Sequence, residues 1–265
     1  MGIERMHWVL LIAILQPAIV AVGLVLLPLQ NFRAVRAAAL ASTLASLVLT
    51  GVLCAAFEPA RAATPQFVWQ ADWLGTDAVR LAFGIDGLSL WLLPLSALLS
   101  VVAVLVSWES VKQGAQGFYA LLLALETGML GVFAALDIIV FYVFFEFTLI
   151  PLFFLIGLWG GPERRLAAVK FLIYTFAGSV ITVAGLLYVV VAHYNQHGQW
   201  TFSIAKLVYD TDIPAEAQFP LFLALFAGFA IKVPVFPFHT WLPRHVSKHF
   251  RGWPRWPSSA CCTGL

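Results

Sequence analysis

Two ionisable residues sit where hydrocarbon should surround them. Lys232 lies inside the apolar run Ala227-Gly-Phe-Ala-Ile-Lys-Val-Pro-Val-Phe-Pro-Phe-His-Thr-Trp-Leu-Pro243. Glu146 lies inside Asp137-Ile-Ile-Val-Phe-Tyr-Val-Phe-Phe-Glu-Phe-Thr-Leu-Ile-Pro-Leu152. An ammonium at mid-membrane costs about 2.5–3.5 kcal/mol on insertion scales, so it needs a partner, a water-filled cavity or a job. A lone carboxyl in hydrocarbon takes up a proton and a lone lysine gives one up; side by side, each keeps the other charged. Such a pair is a proton switch in its simplest form. The plainer readings are a lysine that snorkels to the lipid surface and an ion pair with a purely structural role. Prolines adjoin both residues. Pro234 and Pro237 have no N–H and would leave the carbonyls of Ala230 and Val233 without their usual donors, and Pro151 would do the same to Phe147. Irregular backbone at membrane depth survives only against protein or water, which is how membrane proteins build ion sites. His239, toward the far end of the same run, is a candidate relay or an interface cap.

Other polar residues carry weaker signals. Glu126 has Thr127 and Gly128 beside it, which would let it face a packed seam. Thr175, Ser179 and Thr182 form a stripe at helical spacing, a pattern that more often glues helices than conducts protons, and Gly178 and Gly185 add to the packing reading. His193 and His197 are four apart, a metal spacing on a helix, but Asn195 and Gly198 around them read as a solvated loop. Cys54 behaves as a small hydrophobe, and Cys261-Cys262 lacks metal-site spacing. No G-x-G-x-x-G, Walker loop, CxxC or paired-His haem pattern occurs, so no nucleotide, flavin, iron–sulfur or metal site is expected in this chain.

The elements that must position Glu146 and Lys232 follow from composition. The 265 residues are 62% hydrophobic and 11% charged, against about 25% charged in soluble proteins. The chain reads as an all-α, polytopic transmembrane bundle in the lipid bilayer. Seven spans of near-bilayer length are expected at 8–29, 37–57, 88–108, 118–136, 137–159, 168–192 and 219–241, the seventh broken between Lys232 and Pro237. The first reads as an uncleaved anchor, since Gln30-Asn31-Phe32-Arg33 after it is no cleavage site. Trp8, Trp108, Trp159 and Trp241 fall at span ends, as interfacial aromatics do. Arg33, Arg36, Lys112, Arg164, Arg165 and Lys170 fall on one side. The other side holds the 58–87 connection, where Arg61 and Arg80 face Glu58, Asp72, Asp77 and Asp86. The positive-inside bias puts the N-terminus outside the cytoplasm. A net charge of +2 spread along the chain gives no sign of nucleic-acid binding.

These segments, together with Phe83-Gly-Ile-Asp-Gly-Leu-Ser-Leu90, Gly128-Met-Leu-Gly-Val-Phe133, Ile150-Pro-Leu-Phe-Phe-Leu-Ile-Gly-Leu-Trp-Gly-Gly161 and Lys170-Phe-Leu-Ile-Tyr-Thr-Phe-Ala-Gly-Ser179, resemble a known family. It is that of the antiporter-like membrane subunit M of proton-pumping NADH–quinone oxidoreductase (respiratory complex I), in its N-terminal half. The resemblance covers roughly residues 5–243, with His193-Tyr-Asn195 and Trp200-Thr-Phe202 included. It implies a proton-translocating domain over residues 1–243, with Glu146 and Lys232 as the proton-handling pair. It also implies that NADH, FMN, iron–sulfur clusters and quinone belong to partner subunits, that other membrane subunits of the complex are partners, and that no redox centre resides here. After Pro243 the resemblance ends. Residues 244–265, with two Trp-Pro pairs and no helical period, read as an atypical tail, out of frame or disordered. The alternatives are a subunit of the related multisubunit cation/proton antiporters and an inactive fragment. Alanine-rich spans suggest a GC-rich bacterial source and hence the inner membrane.

Overall fold

The computed structural model describes residues 6–27, 31–73, 76–111, 113–233, 235 and 236. Among them, seven helical segments are long and apolar enough to cross a bilayer, as the apolar runs predict. In hydrocarbon every backbone N–H and C=O must be satisfied within the segment, which leaves such runs no alternative to the helix. They are α1 (Met6–Leu26), α2 (Phe32–Ala56), α3 (Ser89–Ser107), α4 (Ala115–Ala134), the pair α5 (Ile138–Phe147) and α6 (Leu149–Trp159), α7 (Arg164–His197), and, after a short α8 (Ile204–Tyr209), α9 (Ala215–Lys232).

Three features go beyond the expected spans. The fifth span is two helices interrupted at Thr148, three residues before Pro151, whose ring crowds the carbonyl of Phe147. The sixth runs 34 residues, ending at Gly198 with φ +69° and its N–H on Tyr194 O at 2.7 Å, a left-handed stop suited to glycine. His193 and His197 therefore lie on helix and not in a solvated loop: their rings stack at 4.3 Å, and Nδ1 of His193 sits 2.9 Å from Thr211 Oγ1. The connection between α2 and α3 contains an antiparallel hairpin, β1 (Gln66–Trp73) and β2 (Thr76–Ile85), with a bulge near Phe67 at φ +54°. A bulge bends and twists the strand where one residue fails to pair.

Helices α1–α4 pack around two apolar clusters. One, toward the hairpin, holds Leu10, Ile14, Leu53, Phe83, Ile85, Leu93 and Leu130. The other, toward the opposite face, holds Leu24, Val35, Ala39, Val104, Tyr119 and Leu123. Helix α7 packs on α6 and along α9.

The connections segregate by face. On one, Arg36 Nη2 donates to Val111 O at 3.0 Å and Trp159 Nε1 to Gln113 O at 3.0 Å, joining the start of α2, the α3–α4 loop and the end of α6. On the other, Leu136 N donates to Ala82 O at 2.9 Å, Ile138 N to Phe202 O at 2.9 Å and Ile204 N to Leu136 O at 3.0 Å. The turn between α4 and α5 is thereby threaded between β2 and the segment leading into α8. Alternate connections on alternate faces is what seven crossings require.

Candidate functional site

The site begins at that threaded turn. Asp137, 2% exposed, caps α5: its Oδ1 accepts Ile139 N–H at 2.8 Å and its Oδ2 accepts Arg80 N–H at 3.5 Å. Burial pushes its carboxyl above the usual aspartate range, against the pull of these N–H donors. With its start fixed in this way, α5 carries Phe145 and Glu146 to its C-terminal end, at the interruption. Gly128 and Gly131 on α4 let the junction approach: a Cβ on Gly131 would occupy the ring of Phe144, and one on Gly128 would crowd Thr148.

Helix α9 brings Lys232 to the same place. Small residues set its distance from α7: a Cβ on Gly228 would collide with Thr182 Oγ1, and Gly178 receives Ile231. The stripe of Thr175, Ser179 and Thr182 is buried here, and each hydroxyl donates to a carbonyl of its own helix. It serves packing, as the spacing predicts. Lys232 is the last residue of α9. Past it, Val233 N–H reaches Phe229 O at 2.8 Å and Val235 N–H reaches Ala230 O at 2.9 Å. The Ala230 carbonyl, which the sequence leaves without its usual donor, is thus taken up one residue further along. Pro234, Pro237, His239 and the tail 244–265 lie outside the described residues.

The Lys232 ammonium donates to Phe145 O at 2.8 Å and stands 3.0 Å from the centroid of the Phe145 ring, a cation–π geometry strengthened by poor solvation. Phe145 is clamped in turn, stacked on Phe141 and edge-on to Phe229 of α9 at 5.9 Å. Its carbonyl also accepts Thr148 Oγ1 at 2.8 Å. Glu146, the next residue, is within electrostatic reach of Lys232. The described structure shows no direct ion pair between them, and Glu146 Oε1 is buried without a hydrogen-bond partner. The two charges are neighbours at an interrupted helix, where the Phe145 carbonyl and ring hold Lys232. That backbone role is not readable from sequence, because any residue carries a carbonyl.

Glu126 is elsewhere. It is 0% exposed in the interior of α1–α4, on the α2-facing side beside Ser46. The readable signal for its surroundings is the run Ser42, Ser46, Thr50 on α2, at four-residue spacing. No group of three or more His, Cys, Asp or Glu among the described residues could hold a metal ion.

With this geometry in hand, the likeness to known proteins is specific. A family model described as NADH:quinone oxidoreductase/Mrp antiporter, TM, matches residues 135–248, which include both Glu146 and Lys232. F(420)H(2) dehydrogenase subunit M of Methanosarcina mazei is 38% identical over 208 residues, 78% of this chain and 42% of that protein. NADH-quinone oxidoreductase subunit M of Escherichia coli K12 is 40% identical over 185 residues, 66% of this chain and 36% of that protein. A chain in the structure of respiratory complex I from Thermus thermophilus with bound NADH superposes with a TM-score of 0.73 at 33% identity, over 88% of this chain and 46% of that one. The chain belongs to the antiporter-like subunit M family. It spans less than half the length of these relatives. Within the family fold, the described residues supply the seven crossings and the α5–α9 junction.

Proposed function

We propose that this chain is a proton-translocating membrane subunit of an NADH–quinone oxidoreductase, driven by electron transfer that takes place in other subunits. The observation that carries the reading is Lys232, an ammonium at membrane depth held to a helix break next to a carboxylate. While the two stay close, charge on Lys232 is favoured. Drawing Glu146 away leaves the ammonium with a carbonyl and an aromatic face alone, and release of its proton becomes easier. His239, next along the chain, is the candidate relay. NADH, FMN, iron–sulfur clusters and quinone belong to partner subunits in this reading. The face bearing Arg33, Arg36, Arg164 and Arg165 is cytoplasmic, the N-terminus lies on the other side, and the membrane is the bacterial inner membrane.

The test is proton pumping and coupled quinone reduction by an intact complex carrying variants of this chain. Lys232→Ala and Glu146→Ala should each suppress both, by about a hundredfold if the pair acts as a positioned acid and base. Lys232→Arg should be as poor as Lys232→Ala, because a guanidinium does not deprotonate in proteins. Full pumping by Lys232→Arg would show that the position needs only positive charge. The second reading, a subunit of a multisubunit cation/proton antiporter, is favoured by the double description of the matching family. It predicts cation-dependent proton exchange that persists when quinone reduction is inhibited.

A further inference from the structure

The two apolar clusters of α1–α4 are separated by a polar layer. On each helix the order is the same. On α1, Gln16 falls between Ile14 and Ala21; on α2, Ser42, Ser46 and Thr50 fall between Ala39 and Leu53. On α3, Ser96 and Ser100 fall between Leu93 and Val104; on α4, Glu126 and Thr127 fall between Leu123 and Leu130. Glu126 is the acid of this layer. Both its oxygens are buried, and neither has a hydrogen-bond partner. Ser46 is its polar neighbour, close enough for its hydroxyl to interact with the carboxyl.

The protons of the layer are already committed. Gln16 Nε2 donates to Ser42 O at 2.9 Å and to Ser46 Oγ at 2.7 Å, and Ser42 Oγ donates to Gln16 Oε1 at 3.2 Å. Ser46 Oγ donates to Ser42 O, Thr50 Oγ1 to Ser46 O, Ser96 Oγ to Leu92 O, Ser100 Oγ to Ser96 O and Thr127 Oγ1 to Leu123 O. A carboxylate accepts only, and the one hydroxyl beside it, Ser46 Oγ, is already directed to Ser42 O; a carboxylic acid brings its own O–H, and Ser46 Oγ has a lone pair to receive it. No counter-charge is at hand among the described residues. Helices α1, α3 and α6 carry no Asp, Glu, Lys or Arg, and His7 of α1 lies in its first turn beside Trp8. Arg33 and Arg36 sit in the first turns of α2, Arg36 on Val111 O; Arg80 of β2 pairs with Asp72. Glu146 comes with α5, which packs on the face of α4 that carries Gly128 and Gly131. An uncompensated buried charge is far costlier than a neutral acid with one acceptor.

We propose that Glu126 is a proton-binding site in the α1–α4 bundle, occupied at neutral pH and separate from Glu146 and Lys232. Difference infrared spectra of the membrane-embedded full-length protein test it, wild type minus Glu126→Gln. The expected result at neutral pH is loss of a carboxylic-acid C=O band in the variant, with Ser46→Ala shifting that band without abolishing it. A difference spectrum showing carboxylate stretches instead would overturn the proposal. So would a wild-type acid band indifferent to Ser46→Ala, which also decides the matter should Glu126→Gln fail to assemble.

Discussion

At Phe145 a single backbone oxygen holds two donors, one from α9 and one from Thr148. When Lys232 leaves or discharges, the carbonyl keeps a partner, so the interrupted helix does not pay the cost of a buried orphan acceptor. Asp137, at the other end of α5, is the residue whose acid–base behaviour is testable outside the hydrocarbon. Its folded-state affinity for a proton is raised by burial. Stability from this group is therefore fully present below the ordinary aspartate value of about 3.9 and is lost as pH rises through the higher folded value. Asn caps helices as well as Asp does. Asp137→Asn should keep the cap and remove that loss, so melting temperatures of wild type and variant should diverge as pH rises from acid toward neutral, the variant being the more stable. Asp137→Ala, which removes the cap, should cost about 0.5–2 kcal/mol at any pH.

Between elements, the α7–α9 seam decides where Lys232 arrives. Gly228→Ala puts a methyl group against Thr182 and Gly178 O; overpacking of this kind costs about 1–3 kcal/mol. A melting curve should show the loss, and Thr182→Ala should recover part of it in the double variant while leaving Gly228 intact stability little changed. Apolar runs gave away the seven crossings because lipid admits few other structures. The ends of α7 were harder to read, since Arg164–Lys170 and His193–His197 are helical where polarity carries no membrane signal. The hairpin left only the alternation of Val79, Leu81, Phe83 and Ile85, masked by Arg80 and by turn-like flanks. Glu146 and Lys232 were legible as charges out of place. Their meeting through Phe145 was not, because it depends on how glycines at 128, 131, 178 and 228 set the distances between helices.

For the whole molecule, the alternation of faces makes a topological prediction. In a cysteine-free background, Gln113→Cys and Gln199→Cys, both at exposed loop positions, should react with a membrane-impermeant thiol reagent from opposite sides of the membrane. Labelling of both from one side would contradict seven crossings. The length of α7 has a consequence for the surrounding lipid. Its 34 residues reach about 51 Å at about 1.5 Å per residue, whereas a bilayer core is about 30 Å thick. The rod outruns the slab by several turns, and the excess is its polar ends: the apolar stretch between Lys170 and His193 matches the core, so Arg164, Arg165 and the His193–His197 turn stand beyond the hydrocarbon. A thicker bilayer would have to draw those polar ends into hydrocarbon, a cost that holds α7, and with it the seam that positions Lys232, at one depth.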